Sequence, residues 1–470
     1  MFENIKKQIQ SKPKSLAALL GALYTLGFAP FSLWVLGGAC LGGLFYLFMK
    51  ASSKKEAFKI GLIFGFVHFV TSLHWLVGSF YVTLGSLPFA ILVGGLCVML
   101  LSLYLAFYTA MVGRQLRLVA DDCSGFAPFV FATFWLISEF IRSILTPTFA
   151  WNLAGYQWAF SDNFLQIASF GGIYLLSFVL LLAASSLFYG RKWRIFSVVL
   201  LVFCYGYGYQ RLLFNPVEDV TTPAADKLHI RLVSGNVDQM EKWKPLKRKA
   251  FIDRYITQSN DGETVPDVVI WPETAVTAML NQQEKLRTYL SRYVLAPTLV
   301  VGAPYINTKG QFYNSLYALQ KGEEVYRYDK RHLVPFGEYF PLREYFPALF
   351  ELFLQGQGEY TPGAPSQKTF SVRGVSFSPL ICGEVVLPNS KGLVSEDSPY
   401  VLNITNDAWF EGTIGPYQHF AFSKVRAISL GKSFIRVGNF GVNAFIDRFG
   451  RTVTSLDVLD DKPLNIYIKL

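Results

Sequence analysis

Five long stretches without a charged residue fill most of the first 215 residues of this chain, and they constrain its fold more than any other feature. They are residues 15–49, 60–113, 123–138, 163–190 and 195–210. A helix that spans a membrane needs about 20 mostly apolar residues. The first two stretches are long enough for two helices each, with breaks at residues 27–30 and near Gly85. The sequence therefore predicts seven membrane helices.

Charge is divided unevenly between the two parts of the chain. The first 215 residues contain 15 basic and 6 acidic residues, whereas the last 255 contain 28 basic and 27 acidic residues. Of the net charge of +10, nine therefore lie in the apolar part, which argues against a nucleic-acid partner. We expect a transmembrane domain over residues 1–214 and a nearly neutral soluble domain over residues 215–470.

The basic residues of the apolar part cluster in alternate connections between the predicted helices. Those in one set of connections are Lys6, Lys7, Lys12, Lys14, Lys50, Lys54, Lys55, Lys59, Arg114, Arg117, Arg191, Lys192 and Arg194. The other connections, around 82–87 and 144–163, contain no Lys or Arg. The positive-inside rule then places the N-terminus in the cytoplasm. Because seven is an odd number, the soluble domain and the C-terminus lie on the opposite side. We therefore expect a protein of the bacterial inner membrane whose soluble domain and C-terminus are in the periplasm.

Two charged residues, Glu139 and Arg142, lie one helical turn apart in or near the end of the predicted fifth helix. Charge inside a membrane is costly and often functional. The alternative is a self-neutralising pair near the outer interface, and the sequence leaves both open.

From about His229 the pattern changes to short β-branched runs separated by polar helical stretches. This alternation is typical of a layered α/β domain. The predicted strands are His229–Val237, Asp267–Trp271, Thr298–Ala303, Ser315–Leu319, Ser376–Ile381, Tyr400–Ile404 and Phe434–Ile446, and helices are predicted near 244–259, 281–293 and 417–430. The five histidines are scattered, so a metal site has no support in the sequence.

Cys382 is the single cysteine of the predicted soluble domain, and it follows the apolar run Pro-Leu-Ile. A single cysteine cannot form an intramolecular disulfide in an oxidising compartment. A turn at the end of a strand can present a nucleophile beside backbone N–H groups, here that of Gly383, which can hold an oxyanion. Cys382 is thus a candidate nucleophile, with a buried structural cysteine as the alternative.

Charged residues follow two further strand-like segments. Glu273 follows Asp-Val-Val-Ile-Trp-Pro, Lys330 follows Arg-Tyr-Asp, and Glu338 lies in the loop after Lys330. Because strand ends of one sheet converge, these side chains are candidates for one site with Cys382. A carboxylate can take the proton of a thiol, and an ammonium can stabilise a thiolate or an oxyanion. Taken singly, each would be a solvated surface charge.

Together, these segments resemble the Glu–Lys–Cys triad of the nitrilase superfamily of carbon–nitrogen hydrolases. A nitrilase-like domain outside seven helices looks like the apolipoprotein N-acyltransferase family. Further matches are Leu26–Pro30, Val334–Glu338 and Thr405–Phe410. The resemblance implies an αββα sandwich for the soluble domain.

By resemblance, the chain takes an acyl group from a phospholipid, preferably the sn-1 chain of phosphatidylethanolamine. The acceptor is the α-amino group of the S-diacylglyceryl-cysteine of an apolipoprotein. The resemblance makes Glu273 the general base, Lys330 the stabiliser of oxyanion and thiolate, and Cys382 the nucleophile. Other residues that match positions needed for activity are Glu338, Trp243 and Glu384. It also implies a monomer that needs neither ATP nor a metal.

Two departures from the family pattern are visible. Gly383 stands where members commonly have an aromatic residue, and Ile466–Leu470 is too short for the eighth membrane helix of many members. Three other functions remain open: a membrane-anchored amidase or nitrilase with water as second nucleophile, an acyltransferase with a different amine acceptor, and a transporter or lipid-binding protein with an inactive domain.

An apolar helical face is predicted shortly after Glu338. Phe346, Phe350, Phe353 and Leu354 follow the spacing of one helix face. We predict an arm that dips into the outer leaflet and leads lipid to Cys382. Packing on the domain's own core is the alternative.

Overall fold

The structure, a computed structural model, describes residues 12–146, 149–340, 345, 347, 359–388 and 390–470. The chain forms two compact units, one of Met1–Tyr81 with Ser86–Asn215 and the other of Pro216–Leu470 with Val82–Gly85. The arm residues Phe346, Phe350, Phe353 and Leu354 lie outside the described residues, so the arm stays a prediction.

The first unit is helical. The α-helices among the described residues before Pro216 are α1 Pro13–Tyr24, α2 Trp34–Lys50, α3 Lys54–Leu73, α4 Leu76–Leu84, α5 Leu87–Val119, α6 Ala127–Leu145, α7 Asp162–Leu165, α8 Ala168–Leu187 and α9 Arg191–Leu213. Both predicted breaks are present, since α1 ends before residues 27–30 and Gly85 separates α4 from α5. Gly85 has a φ of 66°, a left-handed conformation that glycine adopts without steric cost.

Five of these helices, α3, α5, α6, α8 and α9, are long and apolar enough to cross a membrane. The helix α2 has 17 residues and α1 has 12, both shorter than a full span. The prediction of a helical membrane region is therefore confirmed. The number of seven crossings stays a prediction.

Glu139 and Arg142 are both buried and both bind the loop that follows α6. Glu139 Oε1 accepts hydrogen bonds from the backbone N–H of Ala154 at 2.7 Å and from Trp135 Nε1 at 3.1 Å. Arg142 Nη1 donates to the carbonyl oxygen of Trp151 at 2.9 Å. A buried backbone group needs a hydrogen-bond partner, so these charges act as partners for loop backbone.

The second unit contains twelve strands among the described residues. They are β1 Lys227–Leu232, β2 Val268–Ile270, β3 Thr298–Ile306, β4 Phe312–Gln320, β5 Glu323–Asp329, β6 Phe370–Val372, β7 Val375–Ile381, β8 Tyr400–Asn406, β9 Ser433–Asn439, β10 Asn443–Ile446, β11 Thr452–Leu456 and β12 Leu464–Lys469. They form two six-stranded sheets, in the orders β12-β1-β2-β3-β4-β5 and β11-β10-β9-β8-β7-β6. Strands β1, β2 and β3 are parallel in the first sheet, as are β7, β8 and β9 in the second.

The two sheets pack face to face, and helices cover their outer faces. In β2, Val268 and Ile270 belong to the apolar core that both sheets share, whereas Val269 belongs to the core beneath α11 Arg248–Ser259 and α12 Glu284–Tyr293. Successive strand residues point to opposite faces, so a strand covered on both sides is apolar throughout. The buried helix α13 Gly415–Leu430 packs on strands β9 and β10 of the second sheet. The predicted αββα sandwich is therefore confirmed.

One predicted strand was wrong, and four strands, β5, β6, β11 and β12, were not predicted. Phe434–Ile446 is not one strand but the hairpin of β9 and β10, because Phe440, with a φ of 50°, lies in the turn between them. Strand β5 was missed because Glu-Glu-Val-Tyr-Arg-Tyr-Asp contains no β-branched apolar run. The C-terminal segment Leu464–Lys469 is strand β12, antiparallel to β1.

Candidate active site

The carboxyl ends of strands from both sheets bring the predicted site residues together. Glu273 follows β2, Lys330 follows β5, and Cys382 follows β7. Lys330 Nζ lies 3.5 Å from Glu273 Oε1 and 2.8 Å from Glu338 Oε1. All three charged side chains are buried, so the site contains an ammonium between two carboxylates.

Asn314, on β4, links the two carboxylates. Its Nδ2 group donates to Glu273 Oε1 at 2.7 Å and to Glu338 Oε1 at 2.8 Å. Its backbone oxygen accepts a hydrogen bond from the N–H of Lys330 at 2.8 Å. One amide therefore fixes the distance between the base candidate and the second carboxylate, and it also anchors the lysine backbone.

Cys382 begins a short 3-10 helix, Cys382–Val386, and has a φ of 49°. Burial raises the pKa of its thiol to about 12; the negative charge of Glu273 raises it further, and the positive charge of Lys330 opposes both. The resting cysteine is therefore a thiol at neutral pH. Attack by such a thiol requires a base that takes its proton, and the carboxylate of Glu273 acts electrostatically on this thiol.

Lys330 remains an ammonium in this site. Burial alone would lower the pKa of its side chain, but Glu338 and Glu273 raise it above its usual value. An opposite charge within hydrogen-bonding distance favours the charged form of a buried group. A fixed positive charge beside the sulfur can stabilise an oxyanion that forms there.

The turn that carries Glu273 is held by close packing and by a second buried lysine. A side chain at Gly302, on β3, would place its Cβ 2.5 Å from the carbonyl oxygen of Pro272, so only glycine admits this segment. Thr274 has a φ of 48°, which strains a β-branched residue. Lys242 Nζ donates to Thr274 Oγ1 at 3.0 Å and to the Glu273 carbonyl oxygen at 3.3 Å. Lys242 thus clamps the strained turn.

Lys242 is the last residue of helix α10 Gln239–Lys242 and was not predicted as a site residue. Burial lowers the pKa of its ammonium to about 7, although the negative charge of Glu273 opposes this shift. The predicted site residue Trp243 follows it directly and is half-buried. Trp243 was predicted by resemblance, and nothing in the sequence marked the lysine beside it.

Glu338 is fixed by the loop that contains it. Its Oε2 atom accepts a hydrogen bond from the N–H of Val334 at 2.7 Å, and its own N–H donates to the Val334 carbonyl oxygen at 2.9 Å. Phe336, inside this loop, has a φ of 63°. The loop therefore closes on itself and directs the carboxylate at Lys330.

Glu384 is buried behind the nucleophile and binds backbone. Its oxygens accept from the N–H groups of Arg331 at 2.8 Å and Ile381 at 2.8 Å, and from the Tyr328 hydroxyl at 2.9 Å. Burial raises the pKa of this carboxyl above its usual value. Glu384 thus joins the segment of Lys330 to the segment of Cys382, a positioning role.

Gly383 leaves space beside the nucleophile. A Cβ built at this position would approach one neighbour, Val334 Cγ2, at 3.3 Å. A side chain at position 383 would thus point at the loop of Glu338, with a small shift of Val334. The N–H of Gly383 is the second of its 3-10 helix, and the first N–H groups of a helix have no partner within it.

Asn314 is the other site residue that was not predicted. Its signal was a polar side chain within the strand segment Phe-Tyr-Asn-Ser-Leu. A sequence does not show which polar side chains of a strand face a site.

Among the residues that the structure describes, no group of three or more His, Cys, Asp or Glu side chains could hold a metal ion.

Comparisons with known proteins identify both units. Residues 20–186 match the family model for the apolipoprotein N-acyltransferase N-terminal domain, and residues 263–457 match that for carbon-nitrogen hydrolase. The apolipoprotein N-acyltransferase of Rickettsia bellii is 32% identical over 95% of this chain and 89% of its own length. That of Azotobacter vinelandii is 34% identical over 94% and 86%. The chain belongs to the apolipoprotein N-acyltransferase family.

Proposed function

We propose that this membrane protein transfers an acyl chain from a phospholipid, such as phosphatidylethanolamine, to the α-amino group of the S-diacylglyceryl-cysteine of apolipoproteins. The observation that carries the proposal is the group formed by the buried Glu273 and Lys330 with the half-buried Cys382 at the strand ends of a carbon–nitrogen hydrolase domain. Membership in a family of N-acyltransferases supports the amine as acceptor rather than water.

The first half of the reaction forms a thioester. Glu273 takes the proton from Cys382 as the sulfur attacks the ester carbonyl carbon, because the thiol is not ionised beforehand. The ammonium of Lys330 and the N–H of Gly383 stabilise the oxyanion of the tetrahedral intermediate. The carbon–oxygen bond then breaks, Glu273 returns the proton to the leaving oxygen, and lysophospholipid departs.

The second half transfers the acyl chain to the amine. The neutral α-amino group attacks the thioester carbonyl carbon, and Glu273 accepts a proton from the attacking nitrogen. The carbon–sulfur bond breaks, the sulfur takes the proton back, and an amide is formed. One base thus serves both halves of a ping-pong cycle, and the driving force comes from the phospholipid ester.

We also propose where the protein sits. The basic residues in alternate connections between the predicted helices support a bacterial inner-membrane protein with a cytoplasmic N-terminus. The catalytic domain and C-terminus then lie in the periplasm, where phospholipid and diacylated apolipoprotein are its partners. The protein acts as a monomer.

Mass spectrometry of the Cys382 peptide tests the proposal. Purified protein incubated with phosphatidylethanolamine should gain one acyl group on Cys382 and release lysophospholipid. Addition of a diacylated lipopeptide should remove the acyl group and yield triacylated lipopeptide. Cys382→Ala is the control, and Cys97→Ala, which changes a cysteine of α5, should behave as the wild type.

Two outcomes would contradict it. Without an acyl adduct on Cys382, the proposed nucleophile is wrong. If the adduct forms but decays to free fatty acid at the same rate with or without lipopeptide, water is the acceptor and the enzyme is a hydrolase.

A further inference from the structure

A buried cluster of charged and polar side chains lies behind the nucleophile and has no part in the mechanism above. Asp407 follows β8, and its two carboxylate oxygens bind three side chains. Oδ1 lies 2.8 Å from His419 Nδ1 and accepts from Thr405 Oγ1 at 2.9 Å, and Oδ2 accepts from Arg436 Nη2 at 2.9 Å. All four side chains are buried.

The register of β7 and β8 places this cluster next to the sulfur of Cys382. In the parallel pair of β7 and β8, Ile381 lies opposite Ile404, so the next residues along the two strands are Cys382 and Thr405. The two residues are thus neighbours on adjacent strands, and the hydroxyl of Thr405 lowers the pKa of the Cys382 thiol. Thr405 therefore has the thiol on one side and Asp407 on the other. A hydroxyl has one proton, so it can donate to only one of them at a time.

We propose that Thr405 is the hydrogen-bond donor that stabilises the thiolate of Cys382, and that Asp407 holds this hydroxyl in the resting enzyme. When the thiol proton moves to Glu273, the O–H bond of Thr405 turns from Asp407 to the sulfur. The hydroxyl proton stays on Thr405 throughout. Asp407 loses one donor but keeps His419 and Arg436, so its charge remains compensated.

Charges on three strand ends face the sulfur, and their signs favour such a donor. Glu273 and Asp407 are negative and disfavour the thiolate, whereas Lys330 is positive and favours it. Burial would raise the pKa of Asp407, but His419 and Arg436 lower it below its usual value, so Asp407 is ionised. Two carboxylates lie near the sulfur and disfavour negative charge there. A neutral donor that turns towards the sulfur as this charge develops lowers the barrier to thiolate formation, and no further ion is needed.

Because Thr405 contacts the reacting sulfur, this role is a catalytic one, and it rests on the proposed function only for the identity of the acyl donor. The reactivity of the thiol can be measured without any lipid. The alkylation rate of Cys382 by iodoacetamide, read from its peptide by mass spectrometry in the full-length protein, reports how readily the thiolate forms between pH 7 and 9.

The decisive comparison is between Thr405→Val, which removes the hydroxyl, and Thr405→Ser, which keeps it. A hydrogen bond to a charged group shifts a pKa by about one to two units. A more basic thiolate is also a better nucleophile, with a Brønsted slope of about 0.45, so the expected loss is about 3- to 13-fold. We expect this loss in both alkylation and thioester formation for T405V, and recovery of most of it in T405S.

Thr298→Val is the matched control, because Thr298 is a buried strand residue whose hydroxyl accepts a single hydrogen bond, from Gln320 Nε2 at 3.1 Å. It should alkylate at the wild-type rate. Equal losses in T405V and T405S, or a wild-type alkylation rate in T405V, would overturn the proposal. Suppose that alkylation changes as expected in T405V and T405S but no acyl adduct forms from phosphatidylethanolamine. The role of Thr405 would then stand, and the phospholipid would be rejected as the acyl donor.

A second variant keeps the proposal falsifiable if T405V does not fold. Asp407→Asn removes the nearby negative charge and loosens the hold on the hydroxyl. Alkylation of Cys382 in D407N should therefore be faster than in the wild type, the opposite direction from T405V. A folding defect would not separate the two variants in this way, and slower alkylation in D407N would overturn the proposal.

Discussion

Replacement of Glu338 by Gln tests whether the buried ammonium depends on its second carboxylate. Glu338 accepts hydrogen bonds from Lys330, Asn314 and the Val334 N–H, with one oxygen for the first two and the other for the third. A glutamine is neutral and has one acceptor oxygen, so at least one of these three donors loses its partner. Glu273, at 3.5 Å, is then the counterion that Lys330 retains.

The expected cost follows from this geometry. Breaking a buried ion pair typically costs about 3–5 kcal/mol, and the remaining contact with Glu273 puts E338Q near the lower value. For a domain of this size that corresponds to a melting temperature lowered by about 6–12 °C. Glu273 also becomes the sole counterion of Lys330 and a weaker base. Thioester formation should therefore fall by about 100-fold.

Thermal unfolding by tryptophan fluorescence and single-turnover thioester formation measure the two effects. Glu273→Gln, Lys330→Met and E338Q combined remove all three buried charges, so this triple variant should regain most of the lost stability and still form no thioester. A triple variant less stable than E338Q, or an E338Q protein that melts and acylates like the wild type, would refute the reasoning.

Three further predictions concern the base, its support and the topology. Glu273→Gln should slow thioester formation by at least 100-fold without lowering the melting temperature, because an amide cannot accept the thiol proton; a wild-type rate would move the role of base elsewhere. Lys242→Met should slow the same step by about 10- to 100-fold through displacement of the Glu273 turn. Glycine adopts a positive φ freely, so addition of Thr274→Gly should restore part of that rate. Equal rates for the single and double variants would contradict the proposal that Lys242 holds the strained turn. Alkaline phosphatase fused after Leu470 should be active in cells, and an inactive fusion would exclude a periplasmic C-terminus.

Glu273 and Cys382 could be found from the sequence because each follows a short apolar strand. The runs before Glu273 and Cys382 are apolar on both faces, which is how a strand covered on both sides reads. The position of Lys330 was found from its motif, although the strand before it was missed. Its exposed, charged residues pair with β4 at the sheet edge, and pairing of that kind depends on neighbours far along the chain.

The supporting residues Asn314 and Lys242 could not be predicted because their contacts with Glu273 join positions that are far apart in the sequence. Asn314 and Lys242 are separated from Glu273 by 41 and 31 positions, and each contacts it only once the sheets have packed. Glu384 was identified by resemblance, but the sequence did not show that it binds the backbone of Arg331. A sequence names polar residues, whereas register and packing decide which of them meet.

The positive φ angles at this site bear on when the enzyme becomes active. Thr274, Phe336 and Cys382 hold left-handed conformations in three separate segments, each of which carries one reacting or supporting group. Each such residue costs about 1–3 kcal/mol, which a chain bears only when the surrounding structure enforces it. The three segments therefore hold these conformations only where the folded domain surrounds them. A partly folded chain has Cys382 as an ordinary thiol, so the reactivity of the site depends on complete folding of the domain.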